Sequence, residues 1–272
     1  ENGDDVNDGS DWAHAWKTFT NGATAARIAP GDIIRIAKSP APVSIGNGTW
    51  TNLSKTVTLA GAQTLNIDLC EIAWTGAGDT TVTRTAAITD AKEGSYSMKL
   101  TVDSSPQASI LQAYYATGEL DLSGYQRISF WIKNQGAIVA NNWIVNLCSD
   151  VSGANVVDSF KITAIPSTLK WLPITLTKDG GGNLGASIKS IAIYSGSDVT
   201  GMASKYIYVD DFVACTTDGL NLQSLISKNS AEQGGSEGWY AIQSINGVTV
   251  SLDDDTNCKA NAGRGYTTSG TS

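Results

Sequence analysis

The chain has 272 residues, of which 28 are glycine and only 16% are charged, and its net charge at pH 7 is −8. This acidic balance argues against a nucleic-acid partner, which needs a basic surface to neutralise phosphates, and against an anionic membrane surface. No apolar run approaches the roughly 20 residues of a membrane-spanning helix. With 41% hydrophobic residues and 8 tryptophans, the chain can bury a substantial core. The composition therefore predicts many short strands joined by polar turns rather than disorder.

Residues 1–45 predict a short amphipathic helix followed by a strand. Trp12, Trp16 and Phe19 have the i, i+4, i+7 spacing of one helix face, and a Pro-Gly-Asp turn precedes the apolar run at 33–37. The letters GDDVNDGSDWAHAWKTF and IAPGDIIRIA resemble the opening of right-handed parallel β-helix proteins of the pectate-lyase-like type. The resemblance implies that the helix caps the first coil of a solenoid.

Residues 46–216 predict a series of strands separated by turns. In the clearest of them Ile128, Phe130 and Ile132 share one face, while Ser129, Trp131 and Lys133 share the other. The strands expected from the pattern are 54–59, 96–102, 110–115, 127–133, 143–148, 159–165, 171–177, 190–194 and 206–213.

The order of short motifs within residues 93–215 resembles the galactose-binding-like jelly roll of many carbohydrate-binding modules. These motifs are EGSYSMKLTVD, YYATGELDLSGYQRISFWIKN, LKWLPITL, IKSIAIYSG and KYIYVDDFVA. The resemblance implies a structural Ca²⁺ held by Glu93 and Asp210, with Asp211 as a substitute ligand. Oxygen ligands suit a hard cation, which would join the first strand to the last. Alternatively, Asp210 and Asp211 end a strand at the surface.

Three aromatic residues are candidate glycan contacts, because planar rings stack on the C–H faces of sugars. Trp131 and Tyr115 lie on strand faces opposite apparent core residues, and Trp143 follows a polar loop. Each is also a candidate for the core or for a domain interface, where large aromatic side chains contribute most to burial.

Residues 217–272 contain short strands in LNLQSLISKN and WYAIQSINGVTVSL, which we interpret as a return to β-helix-like coils. The predicted fold is therefore all-β, with a β-sandwich jelly roll set between short right-handed β-helix-like segments. One continuous β-sandwich is the alternative.

Few residues support catalysis. His14 is the only histidine, and the four cysteines, Cys70, Cys148, Cys215 and Cys258, lack metal-site spacing. Buried thiols are favoured over disulfides for these cysteines. A polysaccharide lyase would need a groove over many coils, whereas the flanking segments supply only about three coils. The sequence therefore predicts a protein that is not an enzyme.

The predicted function is that of a structural or adhesion protein of a virion surface, such as a tail fibre, head fibre or spike. Phage appendages combine a pectate-lyase-like β-helix with jelly-roll modules, so the two resemblances imply a homotrimer that contacts other virion proteins and host glycans. The acidic charge balance argues against nucleic-acid and membrane partners. One alternative is a secreted or cell-surface bacterial carbohydrate-binding protein, and another is a truncated polysaccharide lyase.

Overall fold

The computed structural model describes residues 48–50, 56–59, 61, 64–85, 90–198, 200–228, 238–252 and 264–266. The predicted capping helix and the strand that follows it, together with His14, lie outside these ranges. Within the described ranges, no helix has the length and apolar character needed to cross a membrane.

The described chain consists of strands and one short 3-10 helix at Thr200–Met202. In chain order the strands are β1 (Gly48–Trp50), β2 (Thr56–Leu59), β3 (Thr64–Asp68), β4 (Thr75–Gly76), β5 (Thr80–Thr85), β6 (Ser97–Val102), β7 (Leu111–Leu120), β8 (Arg127–Asn134), β9 (Trp143–Cys148), β10 (Val156–Lys161), β11 (Thr168–Thr177), β12 (Ile188–Ser195), β13 (Tyr206–Cys215), β14 (Leu225–Lys228), β15 (Gly238–Asn246), β16 (Thr249–Leu252) and β17 (Arg264–Tyr266).

Two antiparallel sheets form the predicted jelly-roll sandwich. The first sheet has the order β11-β8-β13-β6-β5, with β3 also paired to β13, and the second has the order β10-β9-β12-β7-β4. The sandwich thus begins at β3 rather than at residue 46, because β1 and β2 belong to a separate sheet. The all-β prediction and the sandwich prediction are confirmed.

The inner faces of the two sheets meet in one hydrophobic core. Ile128, Phe130 and Ile132 are fully buried there, as the alternation of β8 predicts, and the Phe130 ring stacks on Phe212 at 4.6 Å. The opposite face of β8 is buried as well, because Ser129 accepts a hydrogen bond from the backbone of Leu222, which lies over it.

The third sheet, here called the flanking sheet, has the order β14-β15-β16-β2-β1-β17 and all its pairs are antiparallel. This pairing corrects the expectation of β-helix coils for the strands between Leu225 and Tyr266, because the coils of a parallel β-helix stack their strands in parallel. Neighbouring strands here instead run in opposite directions, as in β-hairpins. The chain segments on both sides of the sandwich contribute to this one sheet.

Three of the cysteines lie in the described residues. Cys70, Cys148 and Cys215 are buried free thiols, as expected from the sequence. Cys258 lies outside the described residues.

Candidate functional site

Along one of its edges, strand β13 changes from one paired strand to another at its midpoint, which leaves a gap in the strand pairing. Its first half pairs with β6 as far as Val209, and its second half pairs with β3 from Phe212 onwards. Asp210 and Asp211 lie between the two pairings, where the register of β13 against β8 also shifts. The two carboxylates therefore lie inside a buried strand rather than at its surface end, which excludes the alternative interpretation.

Asp210 is fully buried and only partly satisfied. Its Oδ2 accepts hydrogen bonds from the backbone N–H groups of Lys92, at 2.8 Å, and Glu93, at 3.0 Å. Its Oδ1 has no hydrogen-bond partner among the described residues. Burial raises the pKa of Asp210 to about 7, against the lowering effect of the backbone donors. An oxygen buried without a donor is costly, so this atom calls for a ligand or a proton.

Asp211 adds a second buried oxygen without a donor and a strained backbone. Its φ angle is 51°, in the left-handed region that residues other than glycine rarely adopt. Its Oδ2 also lacks a partner among the described residues. Burial is the main cause that raises the pKa of Asp211 well above its usual range, followed by the charges of Asp210, Glu93 and Asp68.

Further acidic groups surround the gap from the end of β3, and sequence reasoning missed them. Asp68 is buried, and its carboxylate accepts a 2.6 Å hydrogen bond from the indole of Trp74. Glu71 accepts hydrogen bonds from the backbone of Ser95, at 2.7 Å, and Tyr96, at 3.3 Å. No motif in the sequence marks either acid as part of a site. They come close to Asp210 and Asp211 only because β3 pairs with β13 in the fold. We call Asp68, Glu71, Glu93, Asp210 and Asp211 the acidic gap.

Of the three predicted metal ligands, Asp210 and Asp211 are neighbours in β13, and Glu93 reaches them through its backbone N–H, which donates to Asp210. Two orphaned and buried carboxylate oxygens fit a hard cation that prefers oxygen ligands. The described residues contain no group of three or more His, Cys, Asp or Glu side chains arranged to hold a metal ion. Completing a coordination sphere around the Asp210 and Asp211 oxygens therefore needs backbone carbonyls, water or a movement of Glu93.

The structure corrects the predicted glycan contacts at Trp131 and Trp143. Trp131 is only 6% exposed: its indole N–H donates to the carbonyl of Gln243 at 2.6 Å, and the ammonium of Lys92 lies 4.4 Å from its ring. Trp143 is 1% exposed and belongs to the core. Neither ring presents a face to a sugar, because the flanking sheet covers one and the sandwich interior encloses the other.

Tyr115 also faces the interior. It packs on the hydrophobic core, and its ring stacks on Trp74 with a centroid distance of 6.4 Å. Partial burial raises the pKa of Tyr115, with smaller contributions from Asp68 and Cys70. The pattern of the sequence placed this residue on the outer side, but the structure places it beside the end of β3.

A different aromatic group lies on the outer face of the first sheet. Tyr208 pairs with Lys133 on one side and with Lys99 on the other, so the three side chains form one row across the sheet. The Trp171 ring lies 6.2 Å from the Tyr208 ring at one end, and the Tyr206 ring lies 5.2 Å from it at the other. We call Lys99, Lys133, Trp171, Tyr206 and Tyr208 the aromatic–lysine face.

Both lysines of this face lie over aromatic rings. The ammonium of Lys99 is 4.4 Å from the centroid of Tyr206 and 5.6 Å from that of Tyr208. The ammonium of Lys133 is 4.8 Å from the centroid of Tyr208 and forms a 2.8 Å ion pair with Asp90. Trp171, Tyr206 and Lys99 are partly exposed, whereas Tyr208 and Lys133 are buried. The face is therefore a partly accessible set of rings and cations.

Two tyrosines on the outer face of the second sheet are covered by the loop between β9 and β10. The Tyr194 hydroxyl donates to the carbonyl of Gly153 at 2.8 Å. Gly153 has a φ of 77°, and a Cβ there would come within 2.9 Å of Tyr114 and 3.0 Å of Ala192. The loop therefore lies against both tyrosines, through the Tyr194 hydroxyl and the Cβ of Tyr114.

No family model matches the chain, and no curated protein matches it either. Several solved structures are similar to part of it. A family 11 carbohydrate-binding module from Clostridium thermocellum, in complex with a mixed-linked tetrasaccharide, has a TM-score of 0.36 and 16% identity, covering 59% of this chain and 98% of the module. An adhesin domain of Lys-gingipain from Porphyromonas gingivalis has a TM-score of 0.36 and 19% identity, covering 57% of this chain and 98% of the domain.

A larger protein, an arabinose-bound α-L-arabinofuranosidase, is similar with a TM-score of 0.41 and 14% identity. The similarity covers 66% of this chain and only 33% of the arabinofuranosidase. The jelly-roll sandwich of this chain is identified from the strand order of its own two sheets.

Proposed function

We propose that this protein is a non-catalytic glycan-binding protein whose contact surface is the aromatic–lysine face. The observation that carries the proposal is the run of neighbouring rings from Trp171 through Tyr208 to Tyr206, two of which are partly exposed on a sheet. Partly exposed rings offer apolar surface to the C–H face of a sugar. The lysines beside them can hydrogen-bond to hydroxyls, and a few well-placed polar groups beside apolar surface are typical of ligand sites.

A glycan array tests this proposal directly. We expect the wild-type protein to bind a subset of glycans, and Trp171→Ala and Tyr206→Ala to lose most of that binding. Tyr194→Ala is the matched control, because Tyr194 is also partly exposed but lies under the β9–β10 loop on the opposite sheet. All three variants are compared with the wild type by circular dichroism, so that loss of fold is recognised. The proposal is overturned if the folded Trp171 and Tyr206 variants bind as well as the control.

We further propose that the protein is part of a virion-surface appendage, where it assembles as a homotrimer with other virion proteins. This step is supported by the resemblance of residues 1–45 and 93–215 to segments that such appendages combine. Mass spectrometry of purified virions tests it, with a copy number fixed by particle symmetry as the expected result. Finding the protein secreted by a bacterium or on its surface, and absent from virions, would establish the alternative of a bacterial carbohydrate-binding protein.

The acidic gap supports a third proposal, a structural Ca²⁺ held by Asp210 and Asp211 with Glu93 beside them. The bound ion would neutralise carboxylates that otherwise repel one another and would link β13 to the segment before β6. Its support is the pair of buried oxygens without donors, since a native fold seldom leaves such atoms unsatisfied.

Thermal unfolding in chelator and in Ca²⁺ tests the metal proposal. We expect Ca²⁺ to raise the Tm of the wild type in proportion to the logarithm of its concentration, as a ligand of the folded state does. Asp211→Asn should remove this rise, whereas Asp179→Asn should retain it, because Asp179 is an exposed carboxylate after β11 that pairs with Lys161. An equal Tm in chelator and in millimolar Ca²⁺ would overturn the proposal.

A further inference from the structure

The aromatic–lysine face differs in charge from the chain as a whole. The protein carries a net charge of −8, so most of its surface repels anions. On this face, in contrast, two ammonium groups approach a single ring, that of Tyr208, from neighbouring strands.

The two lysines differ in how they are paired. Lys133 forms an ion pair with Asp90, whose other oxygen accepts a 3.2 Å hydrogen bond from the Tyr208 hydroxyl. Lys99 has no carboxylate within salt-bridge distance among the described residues and is partly exposed. The positive charge of Lys99 is thus available for an anion beside the Tyr206 ring.

Asp90 indicates what kind of group the face can hold. Hydrogen bonding to Lys133 is the main cause that lowers the pKa of Asp90, with help from the charges of Lys133 and Lys99 and from the Tyr208 hydroxyl. The surroundings of Lys99, Lys133 and the Tyr208 hydroxyl therefore already stabilise a carboxylate. A second carboxylate, brought by a ligand, would meet the partly exposed ammonium of Lys99, because Lys133 is buried.

We infer that the ligand of this face is an acidic glycan, one that bears a carboxylate or sulfate group. Its charged group pairs with Lys99 while a sugar ring packs on Tyr206 or Trp171. The inference rests on the proposed glycan-binding function and adds the chemical class of the ligand. Asp90 competes electrostatically with such a ligand, because its negative charge also interacts with Lys99.

The test is an array that carries uronate, sialylated and sulfated glycans, each beside its uncharged parent. We expect the protein to prefer the acidic member of at least one pair and to lose this preference as salt rises, since exposed ionic contacts are screened. Lys99→Gln should weaken binding to that acidic glycan about fivefold more than binding to its uncharged parent, because only the acidic glycan loses an exposed ion pair. Asp90→Asn should strengthen acidic binding, because it removes a negative charge that interacts with Lys99.

Lys161→Gln is the matched control, because Lys161 is an exposed lysine of the second sheet that pairs with Asp179. If the uncharged parents bind as well as the acidic glycans, or if Lys99→Gln behaves like Lys161→Gln, the acidic-ligand inference is overturned while glycan binding stands. An array without binding to any glycan overturns both.

Discussion

The indole nitrogen of Trp131 donates a 2.6 Å hydrogen bond to the backbone carbonyl of Gln243. Trp131 belongs to β8 of the sandwich and Gln243 to β15 of the flanking sheet. The Gln243 side chain in turn donates to the carbonyl of Lys92 at 3.4 Å, and Lys92 lies over the Trp131 ring. These contacts join the flanking sheet to the outer face of the first sheet.

Substitution of Trp131 should therefore weaken this joint rather than glycan binding. We expect Trp131→Ala to lower the free energy of unfolding by about 3–5 kcal/mol, because it removes a large buried side chain. Trp131→Phe keeps most of the buried area but leaves the Gln243 carbonyl without its donor, at a cost of about 1–3 kcal/mol. Urea unfolding measures both values. Equal stability of Trp131→Phe and the wild type would show that the hydrogen bond is not formed in solution.

Without Ca²⁺, the acidic gap should make the protein less stable as the pH rises. Burial raises the pKa of Asp210 to about 7, above the value near 4 in an unfolded chain. The folded protein therefore binds more protons between these values, so the stabilisation is complete below about pH 4 and is lost as the pH rises through about 7. We expect the Tm in chelator to fall from pH 5 to pH 8, and Asp210→Asn to flatten this slope. A wild-type Tm that changes with pH as that of Asp210→Asn does would contradict the assignment.

Gly94 should be more sensitive to substitution than Gly118, although both have positive φ angles. A Cβ on Gly94 would lie 2.0 Å from a carboxylate oxygen of Glu71, whereas a Cβ on Gly118 would meet no atom within 4 Å. Gly118→Ala therefore suffers only backbone strain of about 1–2 kcal/mol. Gly94→Ala has the same strain and also displaces Glu71 from the Ser95 and Tyr96 N–H groups, which adds about 1 kcal/mol. Chemical denaturation of the two variants gives the comparison, and equal losses would count against the close fit.

The pair of Lys178 and Asp158 should matter far more than the pair of Lys161 and Asp179. Asp158 is buried: it accepts a 2.9 Å bond from Lys178 and a 2.7 Å bond from the Gly185 N–H. Asp158→Ala removes the carboxylate partner of the Lys178 ammonium, which keeps only the carbonyl of Asn183, and should cost about 3–5 kcal/mol. The Lys161–Asp179 pair is exposed, so Asp179→Ala should cost only about 0–1 kcal/mol. Thermal unfolding of the two alanine variants distinguishes them, and similar Tm values would refute the ranking.

The sandwich could be predicted because its strands have strong local signals. The alternation of Ile128, Phe130 and Ile132 fixes the inner face of β8, and Trp143–Cys148 is a strand with the predicted limits. Strand β4 could not be predicted, because Thr75–Gly76 is too short to have an apolar period and forms only through pairing with β7.

The glycan contacts could not be predicted in the same way, because alternation separates two faces without showing which of them is covered. Trp131 lies on the outer side of β8 as predicted, yet β15 lies over it. Trp171 and Tyr206, the contacts that we propose instead, come close to one another only when β11, β8 and β13 become neighbours. The Asp210–Asp211 pair could be singled out, in contrast, because KYIYVDDFVA resembles the last strand of the jelly-roll modules.

The flanking sheet has a mechanical consequence. Gly48 pairs with Tyr266 and Trp50 with Arg264, so the chain segments before β1 and after β17 leave the sheet at the same end of this strand pair. Tension between those two segments would unzip β1 from β17 one hydrogen-bonded pair at a time, which needs less force than shearing a whole strand. The sandwich would experience no tension until the flanking sheet had opened. In an extended appendage, the flanking sheet would therefore unfold before the sandwich does.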